Sequence, residues 1–219
     1  MSEPVSAAIE RDGTQSLGVE LCRLSLDLGR QRIRHRRQVG IAIRAALFAE
    51  LALAGRIAGR DWPEAIGDSE TGDPMPDSVH RAVAGRKRPI GWRHWFNHVD
   101  ADRQAATERL VQAGTWTMSG SRIIDNTSGR TLLDQQRVHN AAERGSAAPE
   151  DVHDAILVLL LMASGGLGKP MPRRARKLAR SWLPPMLIQS GRSGDAVWAT
   201  MLFATRQIQR AAPIRVLSR

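Results

Sequence analysis

The 219-residue chain has no tyrosine, only three phenylalanines and a single cysteine, Cys22. One thiol excludes an internal disulfide framework and any zinc site built on paired thiolates, and it suits a reducing compartment. Lysine is nearly missing as well: Lys87, Lys169 and Lys177 are the only three among 32 basic residues. Long apolar runs are lacking. The longest, residues 155–163, has nine positions, about half of the roughly 20 that a membrane-spanning helix needs. Residues 1–13 carry Glu3, Glu10 and Asp12 and no apolar stretch, so they do not read as a secretory leader. The expected location is the cytoplasm, with any membrane met from its inner face.

What is present fits a folded domain, since 42% of residues are hydrophobic and 25% charged. The formal net charge is +10 and is unevenly spread: residues 1–162 hold 21 basic and 21 acidic groups, whereas 163–219 hold 11 basic groups against Asp195 alone. Such an asymmetry favours a polyanionic partner, either nucleic acid or an anionic lipid surface. Arginine suits both, because its planar fork binds phosphate bidentately.

Spacing predicts a mainly α chain. Leu17, Leu21, Leu24 and Leu28 mark one face of a helix over residues 16–28. Arg30, Arg32, Arg34, Arg36 and Arg37, with Ile33 and His35 between them, alternate as an extended edge segment would. Val39, Ile43, Leu47 and Leu51 predict a central buried helix over 38–57. Residues 60–81 hold six acids with Gly67, Gly72, Pro74 and Pro76, which predicts a loop, and Asp77 is expected to cap a short helix ending near Gly85. A helix over 102–113 is closed by Gly114. Residues 115–128 change period, with Trp116 and Met118 facing Ile123 and Ile124 across a turn, and predict a β-hairpin. Four further helices are expected over 132–144, 149–164, 172–190 and 193–209. The organisation is a single helical domain over 15–210, with flexible ends at 1–14 and 211–219.

Few residues suggest chemistry. Gly165, Gly166, Gly168 and Lys169 lack the first glycine and the Ser or Thr of a phosphate-binding loop and follow a helix, so they read as a helix–helix connection. His94 and His98 share a helical spacing but have no third ligand nearby. No acid–base pair or nucleophile motif stands out, so no catalytic residue, metal or cofactor is nominated. A second cationic cluster, Arg173, Arg174, Arg176, Lys177 and Arg180, opens a helix where its dipole opposes positive charge, a hint of use.

Three segments resemble the Golgi phosphoprotein 3 family, in its bacterial, actinomycete-type form: residues 47–57 (LFAELALAGRI), 71–77 (TGDPMPD) and 109–114 (RLVQAG). Their order and spacing agree over about 16–208. The resemblance implies a mainly helical domain with a β-hairpin, working as a non-enzymatic peripheral membrane adaptor. Eukaryotic relatives bind phosphatidylinositol 4-phosphate in a pocket built from a Trp and three Arg. Carried onto this chain, the matching arginines are Arg44 and Arg103, the Trp position is His35, and the third arginine position is Asp100. A carboxylate there opposes a phosphomonoester, so the expectation is general attraction to anionic headgroups. In it, Arg44, Arg103 and His35 form the headgroup site, and Arg34, Arg36, Arg37, Arg173, Arg174, Arg176 and Lys177 the basic surface. The family's hairpin inserts or dimerises, which assigns Trp116, Met118, Ile123 and Ile124 to membrane insertion or homo-oligomer contact. Two other readings stand beside this one: a basic helical nucleic-acid-binding protein, with Arg173 to Arg180 on phosphates, and an adaptor for protein clients with no lipid role.

Overall fold

The computed structural model describes residues 16–68, 71–97, 99–144, 151–189 and 194–211. The expected flexible ends lie outside these residues, apart from Ala211, and so does His98. Nine helices and three two-stranded antiparallel sheets are present among the described residues. In chain order they are α1 (Leu17–Leu24), β1 (Leu26–Asp27), β2 (Arg32–Ile33), α2 (Arg36–Leu53), β3 (Ile57–Ala58), β4 (Glu64–Ala65), α3 (Pro74–Ala84), α4 (Trp92–Trp95), α5 (Asp100–Gln112), β5 (Trp116–Ser119), β6 (Arg122–Asp125), α6 (Ser128–Arg144), α7 (Val152–Ser164), α8 (Pro172–Gln189) and α9 (Gly194–Ala211). The fold is mainly α, as the spacing predicts.

Two helices lie at the centre. On α2 only Arg36, Arg37, Arg44 and Glu50 escape full burial, and on α7 only His153 does. A helix that is apolar all round has no solvent face to offer. Accordingly α1, α5, α7 and α9 pack against α2, and α8 covers α7. Small residues let these axes approach: the carbonyl of Val99 would lie 3.0 Å from a Cβ placed on Gly40. Phe48 of α2 is ringed by Trp92, Trp95 and Phe96, with centroids 5.1, 5.8 and 6.0 Å away in tilted or edge-on contacts.

Polar groups join the outer helices to this centre. Arg23 on α1 donates to Glu20 through Nε and Nη2, to Thr131 through Nη1 and to Asp134 through Nη2, at 2.5 to 2.9 Å. Burial disfavours the charge on Arg23, yet the two carboxylates outweigh it and hold the guanidinium more firmly protonated than usual. Gln135 adds hydrogen bonds to the carbonyls of Leu24 and Leu26, fastening α6 to the end of α1.

Several local expectations are corrected. The cationic stretch is extended only at Arg32 and Ile33, which pair with Asp27 and Leu26; His35, at φ +46°, turns the chain so that Arg36 and Arg37 begin α2. The acidic segment is not all loop, since Glu64 and Ala65 pair with Ala58 and Ile57. The cap of α3 is Asp73, whose carboxylate accepts from the Met75 N–H, with Pro74 as the first helical residue. The first helix ends at Leu24 rather than Leu28, because Leu26 enters the small sheet.

Arg23→Met strips buried Glu20 of its cation and leaves buried Asp134 with only the more distant Arg137, at 3.5 Å. Its unfolding free energy, from urea titration followed by circular dichroism, is expected to fall by about 3–5 kcal/mol.

Candidate functional site

The β1–β2 hairpin and the start of α2 present a row of arginines: Arg30, Arg32, Arg36 and Arg37 are exposed and Arg34 is half-exposed. Asp27 steadies the row. Its carboxylate accepts from Arg34 Nε at 2.6 Å and from the Arg30 N–H at 3.2 Å, and the Arg34 bond in particular holds its pKa below the ordinary carboxylate value. His35 then reaches across the molecule, with Nε2 3.2 Å from the carbonyl oxygen of Gly168, 133 positions later. Gly168 belongs to the link between α7 and α8, and Lys169 and Arg173 follow it. The contact sets the residue just before Arg36 and Arg37 against the loop five residues ahead of Arg173. Gly165 shapes that link as the left-handed cap of α7, at φ +78°, with Pro170 so close that a Cβ would meet it at 2.7 Å.

The cations of the two clusters differ in freedom. Arg36, Arg37, Arg173 and Lys177 are exposed and form no ion pair among the described residues. Arg174 Nη2 donates to the carbonyls of Ala142 and Glu143 at 3.0 and 3.1 Å, binding the last turn of α6, where a cation is favoured. Arg176 is half-buried.

Arg44 and Arg103 have other engagements. Arg44 holds Asp102 in a two-pronged pair, Nε on one carboxylate oxygen and Nη2 on the other, the latter at 2.9 Å. Burial raises the pKa of Asp102, and Arg44 pulls it back toward ionisation. Arg103, one turn from the start of α5, faces Asp100 at 3.7 Å. The expected convergence of Arg44 and Arg103 on one phosphate thus meets a carboxylate beside each guanidinium. The pair formed by Arg44 and Asp102 joins α2 to α5 across 58 positions.

The hairpin also divides. Trp116 and Ile123 are 1% and 7% exposed and belong to the core, and the Ile123 N–H donates to the carbonyl of Gln31 at 2.8 Å. That packing removes both from the expected insertion surface. Met118 and Ile124, at 46% and 41%, remain outward.

The 71–77 and 109–114 segments meet in space. Arg109 on the last turn of α5 pairs with the capping carboxylate of Asp73. Asp77 accepts from the Thr71 N–H and hydroxyl and from the Gly72 N–H at 2.7 to 3.2 Å. Burial pushes its carboxyl pKa up, but these bonds win and leave it lowered.

A cleft of about 470 Å³ lies beside β4 and α3, lined among others by Trp62, Glu64, Arg86, Arg88 and Trp95. Two of its polar groups are engaged, Trp62 Nε1 donating to Glu64 at 2.7 Å and the Arg86 guanidinium lying 5.6 Å above the Trp95 ring.

A family model described as Golgi phosphoprotein 3 matches residues 17–194, from the start of α1 to the start of α9. The chain belongs to the Golgi phosphoprotein 3 family. The three segments that carry the resemblance are therefore structural parts of a Golgi phosphoprotein 3 domain: the second half of α2, the turn that caps α3, and the end of α5. Membership supports an adaptor role of the Golgi phosphoprotein kind. No curated protein matches the chain. No helix among the described residues is long and apolar enough to cross a membrane.

Arg44→Ala leaves Asp102 buried and unpaired. A loss of about 3–5 kcal/mol is expected in urea unfolding, and the Arg44→Ala, Asp102→Ala double variant is expected to lose less than the sum of the single changes. Acid acts on Asp27 in a defined direction. A depressed folded-state pKa stabilises above the unfolded value and is lost as pH falls through the folded one, so Asp27→Asn is expected to flatten the fall in melting temperature below about pH 4.

Proposed function

We propose that this protein is a non-enzymatic adaptor that docks reversibly on anionic phospholipid surfaces, on the inner face of the membrane. The docking face is the end of the fold where the β1–β2 hairpin, the start of α2 and the start of α8 converge. The observation that supports the reading is the hydrogen bond from His35 to Gly168, which sets the residue just before Arg36 and Arg37 against the loop that leads into Arg173. Arg36, Arg37, Arg173 and Lys177 supply its exposed charge. Each basic residue near an anionic surface contributes about 1 kcal/mol, and several acting together give useful binding where one alone does not.

In this reading Arg44 works from behind the surface, positioning α5 against α2 through Asp102. Selectivity for one phosphomonoester headgroup is weak, since Asp100 and Asp102 stand beside the two arginines that would hold it. Met118 and Ile124 stay exposed on opposite faces of the hairpin, so each offers only a single apolar side chain to the membrane or to another copy of the chain.

Cosedimentation with vesicles tests the proposal. The protein is expected to pellet with phosphatidylglycerol-containing vesicles and not with pure phosphatidylcholine, and to be released by salt. Replacing Arg36, Arg37, Arg173 and Lys177 by Ser is expected to cost about 4 kcal/mol, on the order of a thousandfold in partitioning, while the urea midpoint stays in place. Equal pelleting on both vesicle types overturns the reading. Salt-sensitive binding to duplex DNA without vesicle binding favours the nucleic-acid alternative.

A further inference from the structure

Helix α8 has two unlike halves. Between residues 172 and 189 it contains five cations, Arg173, Arg174, Arg176, Lys177 and Arg180, and no carboxylate. All five lie in its first half. Its inner face, Ala175, Ala179, Trp182, Leu183, Met186 and Leu187, is buried against the core. Arg173, Lys177, Arg180, Pro184 and Ile188 follow one another at steps of four, three, four and four, which places them along one stripe, and all are exposed. The stripe runs for about 22 Å at 1.5 Å per residue and changes from cationic to apolar on the way. Ile188 is 80% exposed, well above the other exposed large apolar residues of the described chain. Core packing of α8 does not require it to be apolar.

The two consecutive prolines add a limit. Pro184 and Pro185 lack N–H groups, so the carbonyls of Arg180 and Ser181 lose their helical donors. Those carbonyls need water or another donor. A surface contact made by this helix therefore keeps residues 180–181 at a hydrated level, while the proline and isoleucine beyond them have no such need.

We infer that α8 is itself a membrane-contacting element, which lies inclined on an anionic bilayer with Arg173, Lys177 and Arg180 on headgroup phosphates and Pro184, Pro185 and Ile188 entering the boundary between headgroups and acyl chains. The inference rests on the docking function proposed above and assigns that docking its orientation and its inserting residues. The occupant follows from charge complementarity: five cations without a counter-charge on the helix call for a dense anionic surface, and the apolar end calls for one with hydrocarbon directly beneath it. An acidic protein would have to add an apolar pocket at the matching distance along the helix, which a bilayer supplies everywhere beneath its headgroups.

The test uses the full chain with Ile188→Cys carrying an environment-sensitive nitrobenzoxadiazole label. Cys22 does not compete for the reagent, because it is buried and its thiol is pushed up to about 12. With vesicles of equal parts phosphatidylcholine and phosphatidylglycerol, emission from position 188 is expected to shift to the blue and to be quenched by lipids spin-labelled high on the acyl chain. Pure phosphatidylcholine is expected to produce neither change. In parallel, Ile188→Asp is expected to weaken pelleting about tenfold with no change in the urea midpoint. If the labelled protein pellets with the anionic vesicles while position 188 keeps its emission in water, the inference is overturned and the docking function stands. If it does not pellet at all, the docking function itself falls, and the inference with it. A shift produced by polyglutamate and not by vesicles also overturns it, in favour of an acidic protein partner.

Discussion

Everything in this fold is arranged around a helix that has almost no side open to water. Beyond its first turn, α2 interrupts its apolar surface only at Arg44 and Glu50. A charge in such a place must find a partner or cost several kcal/mol. Arg44 finds Asp102 on α5, and Glu50 accepts a hydrogen bond from the Leu17 N–H at the start of α1. The two charged positions thus become the points at which neighbouring helices are held in register. The position of α5 fixes the root of the β5–β6 hairpin, and the entry into α2 fixes His35, hence the link between α7 and α8.

This arrangement sorts the arginines by task. Arg23, Arg44 and Arg109 each hold a carboxylate between elements and contribute little field outside the protein. Arg36, Arg37 and Arg173 have no such partner among the described residues and project their charge into solvent. Other exposed cations, Arg60, Arg88, Arg122 and Arg210 among them, are spread over the surface, so the two clusters stand out by their density along the chain and not by exposure alone.

The fold could be read from the chain wherever one period ran long enough. Leu17, Leu21 and Leu24, or the apolar run of α7, state their helices directly, and the exchange of period around Trp116 and Met118 states the hairpin. Strands of two residues state nothing: Ile57 and Ala58 pair with Ala65 and Glu64 because the chain turns back on itself, not because any alternation marks them. Asp77 reads as the cap because two prolines precede it, yet Pro74 and Pro76 both lie inside the helix and the cap is Asp73. At the site, cations were visible and their partners were not. Asp102 for Arg44, Asp27 for Arg34 and Gly168 for His35 are choices made by tertiary packing, and no local spacing encodes them. The same holds for Trp116 and Ile123, whose apolar character fits a membrane contact and a core equally well until the Gln31 carbonyl is seen to receive the Ile123 N–H.

The ion pair from Arg109 to Asp73 ties the final turn of α5 to the turn that opens α3, and α5 leads through Gly114 straight into β5. The 71–77 turn cannot swing away from α5 while that tie is intact. In the language of amide hydrogen exchange, protection at that turn depends on the last turn of α5 staying wound.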